Sequence, residues 1–389
     1  MKRICFITTV SSTLKTFVLK LADYIHINTD WEISMICSAD TEFANLLPDY
    51  IQYYPVSMQR GISISGVKAI FEIWKIFKRE KFDLIQYATP NASLYASLAG
   101  KLAGIPVRLY CQWGIVYVGF QGLKRKIFKV EEKFVCSLST HIEPDSRSNL
   151  KFSHIEGLYP ESKGTVIWNG SACGVNLDKF DISKKAIFRQ KIRAKYGISE
   201  DVFVYGFVGR ITRDKGINEL LGAYKAIYSG TEYLMLVGPN EADATIDAEL
   251  YSWAQNNNHV IFTGFTSIVE EYLSAMDCYI LPSYREGFGL GVIEAGAMEV
   301  PVIVTNIPGP IDSVSNGHTG IIINKANIEE LIDAMMFFFR ERKIARAWGK
   351  NGRMLVETMF EQSKLFSYIL EDRKELLFPR GKNKWNQEN

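Results

Sequence analysis

The chain has 389 residues, of which 47% are hydrophobic and 23% are charged. This composition is typical of a globular protein with room for two domains, and it excludes a largely disordered chain. The formal net charge of +2 argues against nucleic acid as the main partner.

The N-terminal segment Met1–Val10 has a short apolar run that predicts a first strand. It lacks the apolar length and the cleavage site of a signal peptide, and no apolar stretch reaches the length of a membrane span. The six cysteines contain no Cys-x-x-Cys pair, which favours free thiols in a reducing compartment. We therefore expect a cytoplasmic protein, peripheral on the inner face of the plasma membrane if it contacts lipid. Residues 1–172 hold 20 Lys/Arg against 15 Asp/Glu, a balance that suits an anionic membrane surface or a phosphorylated acceptor.

Apolar runs of strand length alternate with helical patterns along the whole chain. The predicted strands are 3–9, 32–37, 83–87, 106–111, 164–168, 203–209, 233–237, 260–263, 278–281, 300–304 and 320–323. The predicted helices are 12–27, 64–79, 91–103, 122–138, 184–196, 216–228, 243–257, 289–298, 326–347 and 361–377. This alternation predicts the α/β class with parallel sheets covered by helices.

So many strands favour two doubly wound, Rossmann-like domains over one sheet. We predict an N-terminal domain at 1–172 and a C-terminal domain at 173–362. A last helix at 363–378 is expected to pack back on the first domain, ahead of a polar tail at 379–389. Ligands of such sheets bind beyond the carboxyl ends of the strands, so two facing domains would hold a site in the central cleft.

The most informative segment is Pro282–Met298, which follows the apolar run Cys278–Leu281. It contains Glu286 on a glycine-rich turn and Glu294 about one turn into the next helix. A glycine-rich turn before a helix suits an anionic ligand. Two carboxylates beside such an anion site indicate a sugar nucleotide, with one for the sugar hydroxyls and one for the ribose.

The spacing of these two carboxylates is weak evidence by itself, since Glu72/Glu80 and Glu241/Glu249 repeat it and are expected to be ordinary solvated positions. A second segment adds support. Gly209, Arg210 and Lys215 follow the predicted strand 203–209, where an Arg and a Lys could neutralise a diphosphate without a metal. The alternative is a loop with exposed basic side chains.

Metal and nucleophile motifs are scarce. The chain has no Asp-x-Asp pair, its five histidines are dispersed without ligand spacing, and it has no Gly-x-Ser-x-Gly or phosphate-loop motif. We therefore expect no metal. We also expect no cofactor, because a nucleotide-sugar would be a substrate.

The N-terminal half offers weaker candidates for acceptor or sugar contacts. Ser11 and Ser12 end the first strand, where a plain helix cap is an equal alternative. Trp113 and Gly114 end a later strand, where Trp113 could stack on a sugar ring or pack in the core. The helix 122–138 carries basic residues among apolar ones, which fits either an interfacial patch or a helix with one solvated face.

The chain resembles the retaining glycosyltransferase family 4, which has the two-domain GT-B fold. The resemblance covers nearly the whole length. The most specific parts are Phe207–Gly216, Tyr272–Glu299 and the Asn169–Phe180 segment. The version of that segment seen here resembles enzymes of capsule and O-antigen assembly. Those enzymes transfer N-acetylhexosamine-type sugars to polyprenyl-diphosphate-linked acceptors.

The resemblance implies that the domain 1–172 binds the acceptor and the domain 173–362 binds the nucleotide-sugar. It also implies roles for the matching positions. Arg210 and Lys215 would hold the donor diphosphate, Glu286 would contact the donor sugar, and Glu294 would bind the ribose. The backbone around them would complete the donor site at Gly209, Gly287, Phe288, Gly289 and Leu290. Glu286, Arg210 and Lys215 would be the catalytic residues of a retaining, metal-independent transfer from a UDP-sugar. The leaving diphosphate would itself help to deprotonate the acceptor.

The chain departs from the family pattern at three places in its first half. Many members have a glycine pair where Ser11-Ser12 stands. The family commonly has His-Gly where Trp113-Gly114 stands, and it often has His at the position of Gln86. Two alternatives therefore stay open at the level of sequence. One is a sugar-nucleotide 2-epimerase of the same fold, and the other is an inactive sugar-nucleotide-binding relative.

Overall fold

The computed structural model describes residues 1–58, 64–242 and 245–379. The predicted polar tail lies outside these residues from position 380 onward, as do positions 243–244 of the predicted helix 243–257. Within the described ranges the chain forms twelve strands in two parallel six-stranded sheets with flanking helices. The prediction of two Rossmann-like, doubly wound domains is thereby confirmed.

The first sheet has the order β3-β2-β1-β4-β5-β6 and the second has the order β12-β11-β10-β7-β8-β9. The strands are β1 Arg3–Ile7, β2 Glu32–Cys37, β3 Ile51–Pro55, β4 Leu84–Tyr87, β5 Val107–Gln112, β6 His141–Pro144, β7 Phe203–Val208, β8 Glu232–Val237, β9 Val260–Gly264, β10 Cys278–Leu281, β11 Val302–Thr305 and β12 Gly320–Ile323.

The helices that connect these strands lie on both faces of each sheet. They are α1 Ser11–Thr13, α2 Leu19–Asn28, α3 Thr41–Leu46, α4 Ile64–Glu80, α5 Pro90–Ala103, α6 Gly122–Leu138, α7 Arg147–Ile155, α8 Lys185–Lys195, α9 Ile217–Ile227, α10 Ala248–Gln255, α11 Val269–Ala275, α12 Leu290–Ala297, α13 Ile328–Arg340, α14 Arg342–Met359 and α15 Gln362–Leu377. None of these described helices combines the length and the apolarity that crossing a bilayer requires.

The chain divides into two compact units. The first contains residues 1–145, 150–173 and the segment from Lys364 onward, and the second contains 146–149 and 174–363. Each unit has its own sheet. The central strands are buried on both faces, as β10 illustrates, because helices cover both sides of a parallel sheet. Their near-continuous apolar runs are what made them legible in the sequence.

Some predicted elements were wrong. Residues 164–168 form no strand: Gly164 makes an isolated bridge to Ile142, and the chain then turns through Trp168 and Ser171, both with positive φ. The predicted helix 326–347 is two helices that break at Glu341. The predicted helix 12–27 contains a π-helical stretch at Leu14–Val18.

Candidate active site

In each sheet the strand order reverses between two neighbours, β1/β4 in the first and β7/β10 in the second. Ligands of doubly wound folds bind at such a switch point, beyond the carboxyl ends of the strands. The loop after β7 contains Arg210 and Lys215, and the loop after β10 contains Glu286. The structure therefore brings the two most specific sequence motifs to the switch point of the second sheet.

Three contacts hold these two loops together. The ammonium of Lys215 donates to Oε1 of Glu286 at 2.6 Å, and the guanidinium of Arg285 donates to Asp214 at 2.9 Å. The backbone N–H of Tyr284 donates to the carbonyl of Asp214, also at 2.9 Å. The loops thus form one structure, and the position of Lys215 depends on that of Glu286.

The Lys215–Glu286 pair is largely shielded from water, with side-chain exposures of 18% and 11%. Ser283 Oγ also donates to Oε1 of Glu286, at 2.7 Å. Glu286 therefore has a single defined orientation on the loop. An ammonium has three N–H donors, so Lys215 can keep this partner and still bind a second anion.

The close approach of the loops depends on Gly216, which has a φ of +74°. A Cβ at this position would lie 2.1 Å from the carbonyl oxygen of Pro282, which is closer than any real contact. Gly309 makes a similar approach, because its Cβ would lie 1.7 Å from the carbonyl oxygen of Gly287. At both places only glycine permits the observed backbone.

The other predicted donor residues have different environments. Arg210 is exposed and pairs with Glu241 at 3.2 Å and with Asp214 at 3.9 Å. Phe288 is buried against the ring of Phe360, so its backbone but not its side chain is available to a ligand. Gly289 precedes α12 with a φ of +82°, and Leu290 begins that helix.

Glu294 lies on α12, and burial raises the pKa of its carboxyl to about 7. Lys179 opposes this rise and Glu270 adds to it, both through their charges. A carboxyl that titrates near neutral pH can respond to a bound ligand, so Glu294 is a candidate contact on physical as well as positional grounds.

Sequence reasoning missed two further residues at this site. Asn149, which belongs to the second unit, donates its side-chain N–H to the carbonyl of Gly287 at 2.9 Å. Its neighbour Ser148 accepts from the backbone N–H of Gly309 at 2.8 Å. Asn149 therefore positions the glycine-rich loop, and Ser148 positions the loop after β11. No local sequence pattern indicates these contacts, because residues 146–149 are separated in sequence from the rest of the second unit.

In the first unit, Ser11 begins the short helix α1 after β1, and Trp113 lies in the loop after β5. Ser11 donates to the carboxylate of Asp40, a contact that lowers the pKa of Asp40, while Ser12 is exposed. Trp113 packs on the ring of Phe17 at 5.3 Å between centroids and is only partly exposed. Gly114 follows it with a φ of +99°.

The residues next to these candidates form a buried polar network that the sequence did not reveal. The side-chain amide of Gln112 donates to Glu132 at 2.6 Å, and its oxygen accepts from Ser153 at 2.8 Å. Burial raises the pKa of Glu132 to about 7. Gln112 thus fixes the end of β5, immediately before Trp113.

Gln86, which stands where relatives often have His, has a defined partner. The buried guanidinium of Arg373 donates to its side-chain oxygen at 3.1 Å and pairs with Glu143 at 2.6 Å. Arg373 lies on α15, so this helix is anchored to the sheet of the first unit. The neutral amide of Gln86 suits this partner, because a cationic histidine would repel the guanidinium.

A cavity of about 370 Å³ in the second unit lies elsewhere. Its lining includes Phe203, Asp277 and Pro301, at the amino ends of β7, β10 and β11. It is therefore at the opposite edge of the sheet from Lys215 and Glu286. Within 1–58, 64–242 and 245–379 no three His, Cys, Asp or Glu side chains are grouped as metal ligands.

Comparisons with known proteins identify the family of the chain. Residues 188–355 match the family model described as glycosyl transferases group 1, and residues 3–142 match the one described as glycosyl transferase 4-like. The chain is 32% identical over 326 residues to the capsular polysaccharide biosynthesis glycosyltransferase CapM of Staphylococcus aureus, covering 82% of each chain.

A second relative is the UDP-Gal:alpha-D-GlcNAc-diphosphoundecaprenol alpha-1,3-galactosyltransferase of Escherichia coli, 25% identical over 84% of each chain. Among solved structures, HepE of Anabaena in complex with UDP superimposes with a TM-score of 0.77 at 18% identity, over 96% of this chain and 100% of that chain. This likeness shows the fold. The chain is a glycosyltransferase of the GT-B fold and belongs to the family of group 1 and family 4-like glycosyltransferases.

Proposed function

We propose that the protein transfers a sugar from a UDP-linked donor to a polyprenyl-diphosphate-linked saccharide, with retention of the anomeric configuration and without a metal ion. The sugar is an N-acetylhexosamine type, and the product is a precursor of a surface polysaccharide. The observation that carries the proposal is the shielded Lys215–Glu286 pair at the switch point of the second sheet.

The chemistry follows from the charges at this site. As the bond from the sugar to the diphosphate breaks, negative charge develops on the leaving group. Lys215 can stabilise it with the N–H donors that Glu286 leaves unused, and such fixed charges supply much of the rate of comparable transfers. Arg210 can also bind the diphosphate if it gives up its ion pair with Glu241. The loss of that pair costs little, because exposed ion pairs contribute about 0–1 kcal/mol to stability.

The reaction needs no base other than the leaving diphosphate. The acceptor hydroxyl attacks the anomeric carbon from the face that the diphosphate leaves, and its proton passes to a diphosphate oxygen. Glu286 accepts hydrogen bonds from hydroxyls of the donor sugar, and Glu294 accepts from the ribose. The name of the Escherichia coli relative, a UDP-sugar enzyme acting on a diphosphoundecaprenol acceptor, supports this pairing of substrates.

An enzyme with this acceptor has to reach a lipid surface, so the proposal includes peripheral contact with an anionic membrane. The absence of nucleic acid among its partners also stays a prediction.

The test is a transfer assay in EDTA. A panel of UDP-, GDP-, ADP- and dTDP-sugars is offered with a polyprenyl-diphosphate-linked N-acetylglucosamine, and NMR couplings of the product give the anomeric configuration. We expect one UDP-sugar to be used, with the α-configuration of the donor kept. Inversion would contradict the retaining mechanism, and activity that requires added Mg²⁺ would contradict metal independence. Turnover of the donor to an epimer without any acceptor would favour the epimerase alternative.

A further inference from the structure

The helix α6 has an apolar stripe on its solvent side. Leu123, Ile127, Val130 and Phe134 recur at the spacing of one helix face, with exposures of 73%, 48%, 67% and 44%. Residues at such spacing are normally the buried face of a helix. Here they face water, and a contiguous exposed apolar stripe marks a surface that binds something.

The fold of the first unit does not use this stripe. The opposite face of α6 is already packed, with Val135 and Cys136 buried in the core. Lys129 and Arg125 then tie the helix to Glu156, at 2.6 Å and 3.3 Å. The helix is therefore anchored through its other side, and the four exposed side chains are free to contact a partner.

The charges on the solvent side of α6 are mostly positive. Lys124, Lys126 and Lys133 are exposed beside the stripe, against one acidic neighbour, the partly exposed Glu131. Within the part of the chain that the structure describes, these three lysines form no ion pair. An apolar stripe bordered by unpaired lysines is the arrangement of helices that lie in the plane of a membrane surface.

The neighbouring helix α4 has the same character. Val67 and Phe71 are exposed to 69% and 51%, and the ammonium of Lys75 lies 4.4 Å from the ring of Phe71. Both α4 and α6 pack on α5, so they belong to one layer on the sheet of the first unit. Exposed apolar and basic side chains thus recur across the solvent side of this layer.

We propose that the solvent face of α6 docks on an anionic lipid bilayer, with Leu123, Ile127, Val130 and Phe134 inserted at the headgroup boundary and the lysines on lipid phosphates. A lipid surface fits better than a protein, because interfaces between proteins are depleted in lysine and a bilayer attracts each basic side chain by about 1 kcal/mol. The inference deepens the proposed function by naming the surface that meets the membrane of a lipid-linked acceptor.

Vesicle sedimentation tests it with the full chain and without donor or acceptor. The vesicles contain phosphatidylcholine alone or with about 30% phosphatidylglycerol, since the charge of the second set supplies the attraction. We compare wild type with the double variants Ile127→Glu/Val130→Glu and Lys126→Gln/Lys133→Gln. The matched control is Ile187→Glu, which changes an equally exposed isoleucine, 66% accessible, on α8 of the second unit.

We expect wild type and Ile187→Glu to bind the anionic vesicles and to bind phosphatidylcholine much more weakly. The glutamate pair should lower the partition coefficient about tenfold or more, because carboxylates would enter an apolar boundary beside anionic lipid. The glutamine pair should weaken binding and reduce its sensitivity to salt. Circular dichroism and thermal melting, unchanged in all variants, exclude unfolding as the cause.

Equal binding by the glutamate variant and wild type, or no binding by wild type, would overturn the proposal. So would size-exclusion chromatography that shows a wild-type dimer dissociated by the glutamate pair with vesicle binding unchanged, since the stripe would then be a protein interface. Because the assay contains no substrate, vesicle binding by a protein that fails to transfer sugar would refute the proposed function alone.

Discussion

The ammonium of Lys215 lies 2.6 Å from Oε1 of Glu286, although the two residues are 71 positions apart in the chain. They meet because β7 and β10, distant in sequence, are neighbours in the sheet. A positive and a negative side chain at this place offer one group for a diphosphate and one for sugar hydroxyls. This relationship underlies the donor site that we propose.

Replacing Glu286 by Gln tests its role in the reaction. The variant keeps the size of the side chain and an oxygen for the hydroxyl of Ser283, but it loses the charge that faces Lys215. We expect kcat/KM for transfer to fall about 100-fold, the range found when a residue that stabilises a transition state is removed. Glu249→Gln, which removes the partner of the exposed Lys225, is the control and should be unchanged. A Glu286→Gln enzyme with full activity would show that this carboxylate takes no part.

The close approach of the two loops can be tested through glycine substitutions with equal backbone angles. Gly216 and Gly264 both have a φ of +74°, but only at Gly216 would a Cβ collide, with the carbonyl of Pro282. Gly264→Ala should cost the backbone strain alone, about 1–2 kcal/mol of the free energy of unfolding. Gly216→Ala should cost roughly 1–3 kcal/mol more, because the loops have to separate. Urea denaturation measures both, and equal losses would disprove the steric role of Gly216.

The raised pKa of Glu294 predicts a pH dependence of donor binding. Burial raises this pKa from 4.5 to about 7, so the carboxyl is largely protonated at pH 6 and ionised at pH 8. An ionised carboxylate is the stronger acceptor for ribose hydroxyls, so the affinity for the donor should rise with pH through about 7. Calorimetry of donor binding between pH 6 and 8 measures this.

Two variants assign that dependence. Glu294→Gln should bind donor with an affinity that does not change over this range, whereas Glu132→Gln should keep the wild-type profile although Glu132 titrates in the same range. The effect of the Glu294 carboxyl on the stability of the folded protein has the opposite dependence on pH. Because the folded pKa of Glu294 exceeds the unfolded one, its contribution makes the folded state less stable as pH rises from 4.5 to about 7. A wild-type affinity that falls with pH would rule out the role given to Glu294.

The ion pair of Arg373 with Glu143 predicts a large effect on the stability of the first unit. Removal of one partner leaves the other charge buried, which costs about 3–5 kcal/mol. Arg373→Met should therefore increase hydrogen exchange in β4 and β6, whose residues Gln86 and Glu143 contact the guanidinium. Lys374→Met, which removes an exposed cation from the same helix, should leave exchange unchanged. Equal exchange in the two variants would mean that the pair does not anchor α15.

The sequence predicted the elements whose residues are uniform in character. The strands β7 and β10 were legible because almost every side chain in them is buried and apolar. The strand His141–Pro144 was not predicted, because it contains a histidine and a glutamate, and the partner of the glutamate comes from another element. Glu143 illustrates this, since Arg373 neutralises it from 230 positions away in sequence and no local pattern reveals that.

The candidate site was predictable to the same limited extent. Motifs at strand ends selected Lys215 and Glu286, but nothing in the sequence indicated that their strands are neighbours. Asn149 and Ser148 were missed, because they contact Gly287 and Gly309 from a remote segment. The π-helical turn that contains Phe17, the residue on which Trp113 packs, interrupts an ordinary helical pattern and leaves no signal in it.

Donor binding by Lys215→Ala in EDTA is the most direct test of the central claim. Wild type, Lys215→Ala and the control Lys225→Ala are titrated calorimetrically with the UDP-sugar that supports transfer. The Lys215–Glu286 site predicts that Lys215→Ala weakens binding at least about tenfold, since a charge-assisted contact to the diphosphate is lost, while Lys225→Ala matches wild type. Equal affinity of all three folded proteins for the donor would contradict the assignment of the donor diphosphate to Lys215.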